Sequence, residues 1–302
     1  MKAFFKWAGI ITSGLAILIV AAILALNRMG EERLMRVYKV REETITLPTD
    51  AASLVEGQRI FRFRGCEACH GEHLEGKVYL DNPAIGQVIT PNLTPGRGGI
   101  GNQRTDVDWV RSIRHGLRPD GTPLLFMPST EFYFLSDEDL GRVIAYIKSV
   151  PAVDQETLPS KLSLTGRIVM TVTKAITFLP AELIPHDAPR PQAPQPGVTP
   201  AYGEYLTYSC KVCHGLTLSG GEIPGFPPEW PPAPNLTFGK GSSLPYWSEE
   251  AFIQIIRTGN KHTRSIDPAY MPWQSYRYMT DDELRAVYAY LKSLPPKDYG
   301  HR

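Results

Sequence analysis

The chain has 302 residues, 42% of them hydrophobic, which is enough for two small globular domains and too apolar for a disordered chain. Its 32 Lys and Arg residues nearly cancel 31 Asp and Glu, so no global basic field argues for nucleic acid and any charged docking face is local. The four cysteines fall in two C-x-x-C pairs, each followed at once by histidine, and none is left for a structural disulfide.

From Trp7 to Leu26 no residue is charged. At about 1.5 Å per residue this run reaches roughly 30 Å, the thickness of a bilayer core. Lys2, Lys6 and the small-residue site Val20-Ala21-Ala22 also suit a cleaved secretory signal. The run exceeds the usual apolar region of roughly 7–15 residues in such signals, so an uncleaved transmembrane anchor is expected over residues 1–30. A juxtamembrane linker, residues 31–50, follows. Arg28, Arg33 and Arg36 lie beyond the span but are diluted by Glu31 and Glu32, so charge alone orients the anchor weakly.

A first domain is expected over residues 51–150. It opens on a short helical pattern of Leu54, Ile60, Phe61 and Phe63, capped by Asp50 or Ser53. A second helix is expected from an Asp106 cap through Trp109, Val110 and Ile113, ending at Gly116 as a C-terminal glycine cap. The last has a capping-box-like start, Ser136 with Asp139, the apolar positions Leu140, Ile144 and Ile147, and a stop at Pro151.

Residues 151–200 read as a linker that ends in a proline-rich run from Pro185 to Pro200. Within it Leu162, Ile168, Val169, Val172, Ile176 and Leu179 predict one amphipathic helix with Lys161, Arg167 and Lys174 on its polar side. Packing against the two domains is its ordinary role; a membrane surface or a partner subunit is the alternative.

Residues 201–302 repeat the first domain at an offset of 144. Cys66, Cys69 and His70 align with Cys210, Cys213 and His214, and Met127-Pro128 with Met271-Pro272. Ala145-Tyr146-Ile147-Lys148-Ser149 aligns with Ala289-Tyr290-Leu291-Lys292-Ser293. One residue of slippage aligns Asn92-Leu93-Thr94 with Asn235-Leu236-Thr237. The same helices follow: Ser248 before Phe252, Ile253 and Ile256 up to Gly259, and Thr280 with Glu283 before Leu284, Tyr288 and Leu291 up to Pro295.

Cys66-Glu67-Ala68-Cys69-His70 and Cys210-Lys211-Val212-Cys213-His214 read as c-type haem attachment signals. Two thiols at this spacing reach the two vinyl groups of one porphyrin, and the adjacent histidine turns to the iron. Zinc is the main alternative, but its ribbons separate their pairs by roughly 15–20 residues, far less than here. A thioredoxin-like redox pair lacks its surrounding βαβ pattern. Two covalent haem c groups are therefore expected.

Met127 lies 57 residues after His70, and Met271 lies 57 residues after His214. A single Met in a Pro-rich loop is ordinary packing. Equal spacing in two diverged copies marks both as sixth iron ligands opposite His70 and His214. Such a pair closes both axial positions and raises the potential over bis-histidine ligation. The carbonyl of Pro91 or Pro234 is placed to accept the Nδ1 proton of the proximal histidine. Trp109, Tyr146, Phe252 and Tyr290 are expected against the haems, and Met279, which aligns with Leu135 of the first copy, in the core. His73, His115, His186 and His262 have no histidine counterpart and read as surface or local polar residues.

Each copy resembles the class I cytochrome c repeat in the cytochrome c subunits of membrane-bound alcohol and gluconate dehydrogenases. The resemblance rests on Asn92-Leu93-Thr94-Pro95, Gly99-Ile100-Gly101, Val110 to Gly116, Pro119-Asp120-Gly121 and the Met-Pro loop leading to Leu135-Ser136-Asp137-Glu138-Asp139-Leu140. It spans about 51–150 and 201–297 and implies the mostly helical cytochrome c fold, twice in tandem after the anchor. It also implies His/Met ligation by His70, Met127, His214 and Met271. Those subunits carry three haem motifs where this chain has two.

The function that follows is single-electron transfer by a dihaem carrier, with no bond-making residue. The anchor places it on the bacterial cytoplasmic membrane, and haem chemistry more than charge puts the haem domains on the periplasmic side. Its expected partners are the membrane and other redox subunits, with a soluble cytochrome, oxidase or reaction centre as acceptor. A dihaem enzyme of the peroxidase or thiosulfate-oxidising type is the alternative, and would need one iron open to substrate.

Overall fold

Lys2–Leu34 form one helix, α1, apolar enough over its first two-thirds to cross a membrane, with no residue of that stretch buried against the protein. It continues four residues past the expected end of the span. The computed structural model describes residues 1–173, 176–188, 192–226, 229–261 and 264–302; Lys174 and His262, named above, lie outside the described residues.

The first repeat contains α2 (Ala51–Phe63), α3 (Cys66–His70), α4 (Asp106–His115), α5 (Ser129–Phe132) and α6 (Asp137–Ser149). A hairpin of β1 (Lys77–Asn82) and β2 (Gly86–Thr90), not anticipated from the sequence, is inserted between α3 and α4. Its alternation is masked because only Val88 is buried on a strand that otherwise faces partly to solvent. The linker adds β3 (Lys161–Leu162), antiparallel to β2, and α7 (Leu164–Val172). The second repeat has α8 (Pro200–Leu206), α9 (Cys210–His214), α10 (Glu249–Thr258), a short β4 (Asn260–Lys261) and β5 (Arg264–Ser265) pair, α11 (Trp273–Tyr276) and α12 (Asp281–Ser293).

Both repeats are built on the crossing of a first and a last helix. Gly57 lets α2 approach α6, since a Cβ there would collide with the Arg142 carbonyl. Gly203 does the same for α8 against the Ala286 carbonyl of α12. Leu140, Ile144, Leu284 and Ala286 are fully buried at these crossings, where the apolar area removed from water is greatest.

The caps follow the local sequence with two corrections. Asp50 caps α2, accepting from the Ser53 N–H at 2.9 Å. The cap of α4 is Thr105, one residue before the expected Asp106; its hydroxyl accepts from the Asp108 N–H, and the Asp108 carboxylate takes the Thr105 N–H in return. Ser136 supplies only half of a capping box, because the Asp139 carboxylate is held by the Tyr205 hydroxyl of the second repeat at 2.6 Å. Thr280 and Glu283 form the complete box. Gly116 and Gly259 both end their helices in the left-handed conformation. The residues before Pro151 and Pro295 are extended, as a following proline requires.

The amphipathic segment is helical only over Leu164–Val172. Ser163 caps it, and the β-branched Thr171-Val172-Thr173 run leads into extended chain. It packs on the far end of α1 and on the hairpin. Arg167 therefore faces α1, with its Nε 2.6 Å from Asn27 Oδ1, instead of solvent. Gly30 and Gly166 give the close approaches, under Arg167 and against the Ile85 carbonyl. Arg33 is tied to Glu182 at 2.8 Å and to the Met170 carbonyl.

One hydrophobic cluster runs through both repeats. Between them Arg59 pairs with Glu283 at 2.7 Å, and Phe134 stacks on Tyr208 with centroids 4.0 Å apart.

Candidate haem-binding sites

Each C-x-x-C-H motif forms a helix of one turn and a half, α3 or α9, that turns its histidine inward. His70 is 8% exposed and His214 6%. Burial pushes both imidazoles down to about 4, so both are neutral at physiological pH. His70 Nδ1 donates to the Pro91 carbonyl at 3.3 Å, and His214 Nδ1 to the Pro234 carbonyl at 2.8 Å. That bond fixes the tautomer and leaves Nε2 with its lone pair free for a metal.

The acceptor loops are held the same way in both copies. Leu74 and Leu218 take a left-handed φ of 61°, and their carbonyls accept from Leu93 N and Leu236 N, each at 2.8 Å. Asn92 Oδ1 accepts from Thr94 N, and Asn235 Oδ1 from Thr237 N. Their amides donate to the carbonyls of Val153 and Lys297, both at 2.8 Å. These buried asparagines satisfy backbone groups that have no ladder to join.

The four cysteines are half-buried and make no disulfide. Burial pushes the Cys66 and Cys210 thiols up to about 12. They are neutral, unlike the depressed thiol that a redox-active C-x-x-C pair requires.

Met127 and Met271 are partly buried against the common core. Pro128 and Pro272 adopt the same backbone geometry, φ −78° and ψ 54°, as caps of α5 and α11. The carbonyls of the two methionines accept from Ser129 N and Trp273 N, both at 2.7 Å. What supports each loop differs. Phe126 N donates to the Phe178 carbonyl of the linker and the two rings meet at 5.0 Å. In the second repeat the Trp273 indole donates to Ile266 O at 3.0 Å.

Trp109 and Phe252 are buried, as is Tyr290, while Tyr146 is half-buried with its ring edge on Phe61. Met279 and Leu135 are both buried. His73 is exposed, but His115 is a buried residue, bonded to His186 at 2.9 Å and to Glu43 at 3.1 Å. Its burial comes from the juxtamembrane segment and the linker folding over α4, contacts no local pattern announces.

Haem carries two propionates, which need buried donors. Trp109 Nε1, and Nε and Nη2 of Arg64, are buried without a hydrogen-bond partner. Orphaned donors of this kind are costly unless an anion meets them. Together with neutral thiols and oriented imidazoles, they fit the group. Sequence reading passed over Arg64, whose place after an apolar helix, immediately before Gly65-Cys66, was the available signal.

A model of the cytochrome c family matches residues 54–151 and again residues 201–295. The chain belongs to the cytochrome c family. This cytochrome is 30% identical, over 83% of its length, to the cytochrome c subunit of a quinone-dependent alcohol dehydrogenase of Gluconacetobacter polyoxogenes. It is 28% identical over 83% of its length to the fructose dehydrogenase cytochrome subunit of Gluconobacter japonicus. The chain covers 58% and 55% of those two relatives, little more than half of each. A diheme c-type cytochrome of Cereibacter sphaeroides is 26% identical over 94% of this chain and 98% of its own.

Proposed function

We propose that the chain is a membrane-anchored dihaem cytochrome c that passes single electrons between a redox complex of the cytoplasmic membrane and a downstream acceptor. In this reading Cys66 and Cys69 hold one porphyrin and Cys210 and Cys213 the other through thioether bonds. His70 with Met127, and His214 with Met271, bind the irons. When bound, haem c supplies a one-electron iron couple.

The chain's own residues do the rest. Pro91 and Pro234 keep each proximal imidazole turned and basic, and the Met-Pro turns hold each thioether against the core. The apolar cluster from Phe61 to Leu291 excludes water, and a closed His/Met site leaves no position for oxygen or peroxide. The observation that carries this reading is the coincidence, in both repeats, of an inward neutral histidine oriented by a prolyl carbonyl and a methionine 57 residues on.

α1 serves as the anchor, with both repeats on the periplasmic side, where the covalent attachment of haem c takes place. The relatives are named as subunits of alcohol and fructose dehydrogenases, which supports a dehydrogenase or quinol-oxidising subunit as donor. A soluble cytochrome, an oxidase or a reaction centre fits as acceptor.

The oxidised visible spectrum tests the reading: a sulfur-to-iron charge-transfer band from both haems is expected. Met127→Ala and Met271→Ala should each lower the potential of one haem and open that iron to carbon monoxide. A wild-type haem that is already high-spin or bis-histidine would replace the carrier with an enzyme open to substrate.

A further inference from the structure

The helix α7 turns outward the kind of side that a helix on a water-facing surface keeps polar. Gly166 and Met170 are buried, and Val169 packs against the same small cluster as Met170. The polar positions Arg167 and Thr171, one turn apart, are both turned to α1. Leu164, Ile168 and Val172 remain, spaced i, i+4, i+8, as one apolar stripe. Leu164 is 47% and Val172 63% exposed, so the stripe has no cover within the chain.

The place of α7 along α1 shows what covers it. The uncharged run ends at Leu26, and α1 continues to Leu34. The Thr171 hydroxyl donates to the Leu26 carbonyl at 3.3 Å, Arg167 Nε donates to Asn27 Oδ1 at 2.6 Å, and Arg167 and Thr171 both lie against Gly30. At a rise of about 1.5 Å per residue, these contacts fall between the edge of the apolar span and roughly 6 Å beyond it. The headgroup layer on each side of a bilayer is roughly 5–8 Å deep, half the difference between the full thickness and the hydrocarbon core. The last turn of α7 therefore lies within that layer, at the depth where an interfacial helix buries its apolar side.

We propose that α7 is a second membrane contact, an interfacial helix that lays Leu164, Ile168 and Val172 into the lipid surface from which α1 emerges. This rests on the reading of α1 as the anchor. Three side chains suffice for insertion beside an existing anchor, and fall far short of the roughly 800 Å² that a stable protein interface buries on each partner. The stripe is uncharged, so the contact does not weaken with salt.

The contact reaches the first repeat through its candidate ligand loop. Leu162, Met170, Phe178 and Leu179 form one cluster with Leu34 of α1 and with Leu125 and Phe126. Phe126, next to Met127, donates its N–H to the Phe178 carbonyl. A helix seated in lipid thus holds the Met127 loop, and with it the first repeat, at the membrane surface.

The test is photolabelling of the full-length holoprotein in phosphatidylcholine vesicles that carry a phospholipid with a diazirine in its acyl chain, with adducts mapped by peptide mass spectrometry. Adducts are expected on α1 and on residues 164–172, and both sets should persist at high salt. In the double variant Leu164→Glu, Val172→Glu, whose positions are exposed, the α7 adducts should be lost while those on α1 and the visible spectrum are kept. An unlabelled α7 beside a labelled α1 overturns the proposal, as does a double variant that labels like wild type. An α7 labelled in vesicles but protected in native membranes carrying the same lipid gives the stripe to a partner subunit and also overturns it. Absence of adducts on α1 would instead remove the anchor reading itself.

Discussion

The two repeats carry the same arginine–aspartate pair and surround it differently. Arg257 bonds Asp281 at 2.7 Å on an open surface, its side chain 28% exposed. Arg114 bonds Asp137 at 2.6 Å and is completely buried, because Glu43 of the juxtamembrane segment adds a second carboxylate at 2.7 Å. Identical chemistry thus becomes a surface decoration in one repeat and a structural bolt in the other. What decides is the juxtamembrane segment, whose Glu43 reaches over Arg114 in the first repeat.

Removing the arginine from each copy breaks this comparison most forcefully. Arg114→Met leaves the largely buried Glu43 without its arginine, while Asp137 stays mostly in solvent, and should cost toward the low end of about 3–5 kcal/mol in a thermal or denaturant melt. Arg257→Met should change the melt by a small fraction of that. Equal losses would mean that the covering segments add nothing.

The methionine loops sharpen the comparison further. Phe178 is 2% exposed beneath the Met127 loop, so Phe178→Ala should cost toward the low end of about 3–5 kcal/mol and disturb only the spectrum and potential of the first haem. Trp273→Ala should do the same to the second haem alone. A variant that disturbed both haems would show that the repeats respond as one unit.

The smallest effect is one of pH. Desolvation, and then the facing His115, lower the pKa of His186 below its ordinary 6.5. A depressed folded value means that the neutral form stabilises the fold: its contribution is complete above about pH 6.5 and is lost as pH falls through the folded value. Protonating His186 puts a positive charge against the buried His115 ring, 2.9 Å from its Nδ1, where the linker meets the juxtamembrane segment. Proteolysis of residues 36–48 should therefore quicken on mild acidification, and His186→Ala should make that rate independent of pH over the same range.

Much of this was legible beforehand, and the reasons differ by element. The helix starts at Asp50, Ser248 and Thr280, the glycine stops at 116 and 259 and the prolines at 151 and 295 are short-range chemistry, so the residues announce them. Asp106 and the true cap Thr105 differ by a single position in an equally polar stretch, so local pattern does not separate them. The prolyl carbonyl acceptors were legible because the histidine, the Pro-Asn-Leu-Thr run and their spacing recur in both copies. The β1–β2 hairpin was not, since a half-exposed strand carries little alternation, and α7 came out shorter than its apolar period because Ile176, Phe178 and Leu179 pack without being helical.

By itself the sequence determined the duplication, the family and the residue types that can hold a haem, because covalent attachment and iron ligation demand fixed groups at fixed local spacing. Only the tertiary structure decided which arginine is buried between two carboxylates, and that Arg64 and Trp109 keep buried donors with no protein partner. Those are contacts between residues tens to hundreds of positions apart. They are selected by the packing of whole faces and leave no local pattern in the chain.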